Sequence, residues 1–189
     1  MAGKKIGILS LQGAFIEHEQ SLQRCGAQPR QVRTVQDLDE IEGLIIPGGE
    51  STTIGKLMRA YGLDEKIKAR CAEGMPVWGT CAGMILLARE IVEMDQVQLN
   101  MMDISVKRNG FGRQVDSFET ELNVEGIGSC KGVFIRAPYV EKVWGEARIM
   151  ASHKQRIVMV QEDKLLATAF HPELTNDLSI HSYFMEMLR

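Results

Sequence analysis

Few folds accommodate the stretch from Met75 to Glu90. An apolar run, Met75-Pro76-Val77-Trp78, breaks at Gly79-Thr80-Cys81-Ala82-Gly83 and resumes as Met84-Ile85-Leu86-Leu87-Ala88-Arg89-Glu90. The first part reads as a buried strand, and the last is made of good helix formers. Strand, tight turn and helix follow one another without a linker. The glycines two residues before and two residues after Cys81 let the chain turn sharply and lift the side chain out, the pattern of a nucleophile elbow with cysteine in place of serine. At the start of a helix, the partial positive charge of unpaired N–H groups favours thiolate over thiol. Cys81 is therefore the candidate nucleophile. The competing reading is a buried structural thiol, since free cysteine is among the most buried residue types, and the rest of the chain decides between them.

The 189 residues suit one domain, 1–189, with a sizeable core, and 44% hydrophobic against 25% charged residues places the chain among ordinary soluble proteins. The net charge of −3, with lysines and arginines scattered, leaves no electrostatic footprint for nucleic acid or an anionic membrane. The apolar run after Lys4-Lys5 is too short for a signal peptide, and no stretch approaches a membrane span. Cys25, Cys71, Cys81 and Cys130 form no C-x-x-C pair and match no zinc spacing, so no metal is expected and free thiols in a cytoplasmic setting are the default.

In chain order, Lys5 to Ser10 is a β-rich run leading through Leu11-Gln12-Gly13 into a helix over residues 14–24, stopped by Gly26. Residues 31–35 alternate like a strand, and Gly43-Leu44-Ile45-Ile46 is a fully apolar one ended by Pro47-Gly48-Gly49. The hydroxyls of Ser51, Thr52 and Thr53 offer caps for a helix closed by Gly62, and a second helix covers 64–73. This alternation predicts an α/β fold: a doubly wound, mostly parallel sheet with flanking helices, whose function gathers at the carboxyl ends of its strands. Beyond residue 100 the second half is strand-rich, with candidates at 104–108, 118–124, 132–136, 156–160 and 165–170, and residues 175–188 read as a closing helix.

A cysteine nucleophile needs a base, and the base an orienting group. His171-Pro172-Glu173 supplies both: on an extended strand end, residues two apart project on one side, and Pro172 biases His171 away from helix. A glutamate on Nδ1–H fixes the imidazole tautomer and stabilises the imidazolium of a Cys–His pair. His18 and His181 fall in predicted helices and His153 in a polar loop. None has a partner two residues on, so each reads as a surface or structural residue. For an oxyanion, the N–H of Ala82 points into the site by elbow geometry, and Gly49 offers a second N–H. A phosphate-loop reading of Gly48 to Lys56 fails, because the spacing from Gly49 is one residue too long and Leu57 replaces the required hydroxyl. No dinucleotide fingerprint follows the first strand either.

Six blocks carry a resemblance: Leu11-Gln12-Gly13, Pro47 to Thr53, Gly79 to Gly83, Arg108 to Phe118, Phe134 to Pro138 and Phe170 to Leu174. Together they resemble the glutaminase subunits of pyridoxal 5′-phosphate synthase, within the triad-type glutamine amidotransferases, over nearly the whole chain. The cysteine and His-x-Glu elements fit any triad-type amidotransferase, whereas the Arg108–Phe118 and Phe134–Pro138 blocks are specific to this branch. The resemblance implies a glutamine-amidotransferase-like (flavodoxin-like) fold, with Cys81, His171 and Glu173 as the triad and Gly49, Glu50, Ser51, Arg108, Ile135 and Arg136 contacting L-glutamine. Arg108 or Arg136 suits the substrate carboxylate. No cofactor is implied. The implied partner is a separate synthase subunit, in a hetero-oligomeric complex, that takes the ammonia for vitamin B6 synthesis. Because a free glutaminase wastes glutamine, the partner is expected to organise the oxyanion hole, through a peptide flip in the Pro47–Glu50 loop. A glutaminase feeding another acceptor, a γ-glutamyl hydrolase and a non-catalytic flavodoxin-like binding module are the alternatives; the last has no need of Cys81, His171 and Glu173 together.

Overall fold

The computed structural model describes residues 3–111 and 117–188, so residues 112–116 of the Arg108–Phe118 block lie outside the described residues. The first half comprises β1 (Lys5–Leu9), α1 (Phe15–Arg24), β2 (Gln28–Val32), β3 (Gly43–Ile46), α2 (Ser51–Ala60), α3 (Leu63–Ala72), β4 (Val77–Thr80) and α4 (Ala82–Leu87). The second comprises β5 (Ala88–Ile91), β6 (Met102–Lys107), β7 (Ser117–Val124), β8 (Gly128–Ile135), β9 (Tyr139–Val143), β10 (Arg148–His153), β11 (Arg156–Glu162), β12 (Leu165–Thr168), a 3-10 turn Pro172–Leu174 and α5 (Ser179–Glu186).

Five strands in the order β2-β1-β3-β4-β12 run parallel. This is the 2-1-3-4-5 doubly wound order, whose switch point lies between β1 and β3. β3, β4 and β12 are buried along their whole length, as strands covered on both faces must be. From β12 the sheet continues antiparallel through β11, β9 and β6, then ends on β5, which lies parallel to β6. β10 pairs with β11, and β7 and β8 form a separate hairpin.

Local forces moved several boundaries from their expected places. The second strand begins three residues early, at Gln28, because its register with β1 runs from Lys5–Gln28 to Leu9–Val32. It ends at Val32 because the Asp37 carboxylate takes the N–H groups of Arg33 and Thr34 at 2.9 and 2.8 Å. Pro29 is tolerated there because β2 is an edge strand. The helix after the elbow stops at Leu87: the carbonyls of Leu86 and Leu87 accept from Leu99 and Met101 at 2.7 and 3.0 Å, and residues 88–91 pair with β6 as a strand. At the far end α5 starts only at Ser179, whose N–H donates to Asp177 at 2.9 Å.

Candidate active site

Cys81 joins β4 to α4 with φ 50° and ψ −100°, a conformation that non-glycine residues adopt only when their surroundings impose it. The surroundings do so. Its N–H donates to the Thr168 carbonyl at 2.8 Å, and the turn is packed so closely that a Cβ on Gly83 would lie 2.1 Å from the carbonyl oxygen of Ile46. A Cβ on Gly79 would lie 2.4 Å from the backbone of Gly83. The two glycines of the elbow are therefore steric requirements of the strand-to-helix turn.

His171 stands beyond β12, the neighbour of β4, and its N–H donates to the Val133 carbonyl of β8 at 2.8 Å. The segment is not the extended strand end expected from sequence. The strand stops at Thr168 and Pro172 opens a 3-10 turn. The tight turn still brings residues two apart together: His171 Nδ1 lies 2.6 Å from Glu173 Oε1, and the imidazole also hydrogen-bonds the Cys81 side chain. Burial alone pulls the His171 pKa down, but the hydrogen bonds and negative charge of Cys81 and Glu173 outweigh it and raise it to about 10. For Glu173 burial pushes upward, and the His18 ring and the His171 hydrogen bond together hold the carboxyl below its usual range.

A cleft of about 420 Å³ opens over Cys81 at the carboxyl ends of β1, β3, β4 and β12. It is lined by Gly49, Glu50, Ser51, Cys81, Ala82, Arg108, Ile135, Arg136 and His171, so all the residues singled out from sequence meet there except Glu173, which lies behind His171. Gln12, Ile85, Asn109 and Pro138 complete the wall. Arg108 lies 3.7 Å from Glu50. Arg136, just after β8, has φ 42°, a turn that ends the strand at the cleft rim.

The capping of α2 differs from expectation. The cap is Glu50, not a hydroxyl: its carboxylate accepts from the N–H and hydroxyl groups of Thr52 and Thr53. These hydroxyl bonds bring the Glu50 pKa down to about 2. Ser51 turns its hydroxyl to Gln96 at 3.1 Å. Gln12, passed over as a site residue although it stands in the Leu11-Gln12-Gly13 block, accepts the Glu50 N–H at 2.8 Å, and Ala14 N–H donates to Gly48 O at 3.0 Å. Two latches thus tie the Gly48–Glu50 loop to the loop after β1.

Two of the histidines set aside from sequence are not surface residues. His18 and His181 are fully buried. His18 Nδ1 lies 3.0 Å from His181 Nε2, and His18 Nε2 lies 3.3 Å from Thr80 Oγ1 and 3.5 Å from Glu173 Oε2. His153 ends β10 against Phe118, away from the cleft. Cys25, Cys71 and Cys130 are free thiols; burial pushes the thiols of Cys71 and Cys130 up to about 11. Among the described residues no cluster of three or more His, Cys, Asp or Glu side chains is arranged to hold a metal ion.

A parallel sheet in this order, with a cysteine elbow facing a histidine across the strand ends, defines a class, and the solved structures agree with it: the fold is that of the glutamine amidotransferases. A glutamine amidotransferase from Thermotoga maritima superposes with a TM-score of 0.64 at 13% identity, covering 98% of this chain and 82% of that one. The chain belongs to the SNO glutamine amidotransferase family, whose model matches residues 8–189. A crystal structure described as a glutamine amidotransferase is 47% identical with a TM-score of 0.94, covering 97% of this chain and 98% of that one. Among curated relatives, the pyridoxal 5′-phosphate synthase subunit PdxT of Desulforamulus reducens is 52% identical over 97% of this chain and 99% of its own length. That of Moorella thermoacetica is 54% identical over the same shares.

Proposed function

We propose that this chain is the glutaminase subunit of a pyridoxal 5′-phosphate synthase, hydrolysing L-glutamine to L-glutamate and ammonia for a separate synthase subunit. The observation that carries the reading is the hydrogen-bonded chain Cys81–His171–Glu173 opening on a cleft walled by Arg108 and Arg136, in a chain about half identical to the pyridoxal 5′-phosphate synthase subunits PdxT over 99% of their length.

The chemistry follows from the site. An arginine pairs with the substrate carboxylate, so that the side-chain amide faces Cys81. The Cys81 thiolate adds to the amide carbon and the carbonyl becomes an oxyanion, received by the N–H groups of Ala82 and Gly49. The imidazolium of His171, held by Glu173, gives its proton to the leaving nitrogen; the C–N bond breaks, ammonia departs and a thioester remains. The neutral imidazole then takes a proton from water as the hydroxide adds, and collapse of the second oxyanion releases glutamate and the thiolate. Gln12 and Ala14 latch Gly48 and Glu50 in their present conformation, which supports a synthase partner acting on the Pro47–Glu50 loop, by a peptide flip that aims the Gly49 N–H.

The test is ammonia release from L-glutamine by wild type and Cys81→Ala, each with and without the synthase subunit. Activity that needs both Cys81 and the partner is expected. Equal turnover without the partner would remove the gating, and no ammonia in any mixture would overturn the glutaminase reading.

A further inference from the structure

Behind the cleft, on the side of Glu173 away from His171, lies a buried polar cluster that the reaction above does not use. One Glu173 oxygen takes the His171 hydrogen bond. The other, Oε2, has no hydrogen-bond partner among the described residues and faces His18 Nε2 at 3.5 Å. Both side chains are completely buried, so this oxygen is shielded from bulk water, and an unsatisfied buried carboxylate oxygen is costly. His18 comes from α1 and His181 from α5, two helices distant in sequence. The two rings meet at 3.0 Å, and the His181 ring packs edge-on against Trp78 of β4 at 4.9 Å between centroids.

Of the two ways to place one proton on each ring, these positions favour one. Burial lowers the pKa of both rings below 6.5, that of His181 to about 3, so at pH 7 each is neutral and carries one N–H. If His18 carried its proton on Nδ1, its Nε2 lone pair would face the Glu173 carboxylate, and His181 would carry an unpaired N–H on its buried Nδ1. With the proton on Nε2, the N–H points toward Glu173 Oε2 and Thr80, His18 Nδ1 accepts from His181 Nε2–H, and the orphan His181 Nδ1 is only an unused lone pair. The second arrangement leaves no ring N–H unpaired and sets no ring lone pair against a charge.

We propose that His18 is a positioning residue of the glutaminase site, its Nε2–H holding the second oxygen of Glu173 and its tautomer set by His181. Each ring fixes the next: His181 orients His18, His18 orients Glu173, and Glu173 orients the imidazole that serves Cys81. An outer hydrogen-bond partner of this kind governs alignment at the reacting atoms without touching substrate. His18 lines no part of the cleft, so its loss acts on kcat and leaves KM alone.

The inference rests on the glutaminase reading, and the experiment separates the two. Ammonia release is measured for wild type, Cys81→Ala, His18→Gln and His18→Asn, each reconstituted with the synthase subunit, with folding followed by thermal melting. A glutamine amide nitrogen reaches the place of Nε2, whereas that of asparagine reaches only Nδ1. His18→Asn is expected to lower kcat about tenfold with KM unchanged, and His18→Gln to recover it to within about threefold. Equal kinetics for wild type and a folded His18→Asn, or equal loss in both variants, would overturn the positioning role. A second arm needs no variant: ¹⁵N NMR of the wild type at pH 7 is expected to show His18 as the neutral Nε2–H tautomer, and an Nδ1–H or doubly protonated ring would overturn the proposal. If the wild-type complex releases no ammonia, the glutaminase reading falls, and the tautomer still decides where His18 directs its proton.

Discussion

Gly48 has no side chain where one would lie 2.4 Å from Cε1 of His171 and 3.5 Å from Cβ of Cys81. The nearest atom belongs to a side chain and not to backbone, so Gly48→Ala forces the imidazole aside. Misplacement of a reacting group by about 1 Å costs on the order of 100-fold in rate. Gly48→Ala is accordingly expected to lower glutamine hydrolysis by about that factor with its melting curve little changed. Activity within threefold of wild type, roughly, would mean that the ring finds an equally aligned position. At this scale the sequence was informative wherever function sits in a short motif. Cys81 between its glycines and His171 two residues from Glu173 were legible because their geometry is local. His18 and His181 were not, because what makes them matter is a contact spanning 163 positions.

At the scale of elements, α2 joins stability to the site. Its first turn is closed by the Glu50 carboxylate, whose backbone N–H is latched to Gln12. Replacing a capping side chain by alanine costs about 1 kcal/mol, so Glu50→Ala is expected to lose about that much in urea unfolding at pH 7. The sign with pH is fixed by a carboxyl whose folded pKa, about 2, lies below its ordinary value near 4.5. The stability it supplies is complete above 4.5 and lost as pH falls through about 2. The gap between wild type and variant should therefore be constant from pH 7 to 5 and close in stronger acid; no gap at pH 7 would show the cap to be idle. The Ser/Thr-rich start of α2 announced a helix, but competition among four capping groups is settled by which one the loop presents. The strand at residues 88–91 is the opposite case: its sequence continues a helix, and pairing with β6 prevails over that local preference.

Across the whole molecule, the buried histidines set an acid limit. Burial lowers the folded pKa of His181 to about 3 against an ordinary 6.5, and shifts His18 the same way. A histidine kept neutral stabilises the fold fully above pH 6.5, and that contribution is lost as the pH falls toward the folded value. From pH 7 to 5 His181 alone removes about 2 kcal/mol. His171 works in the other sense: its raised pKa contributes fully below 6.5 and fades as the pH rises toward about 10, so below neutrality it changes little and the two buried rings prevail. The urea midpoint should fall between pH 7 and 5 in wild type and fall less in His181→Phe. A drop of equal size in both would mean that His181 is not held neutral in the folded state.

What this sequence determined unaided is whatever depends on neighbours along the chain: the apolar strands, the elbow at Cys81, the His-x-Glu pair and the alternation that calls for a parallel sheet. These are settled by sterics and burial within a few residues. Folding alone set β12 beside β4, so that His171 faces Cys81, and carried the β7–β8 hairpin to the cleft with Ile135 and Arg136 at its rim. It also packed α1 and α5 so that His18 and His181 meet behind Glu173. Those contacts join residues tens to more than a hundred positions apart. Their energies depend on burial and on which polar group lacks water, and neither exists until the chain has closed around them.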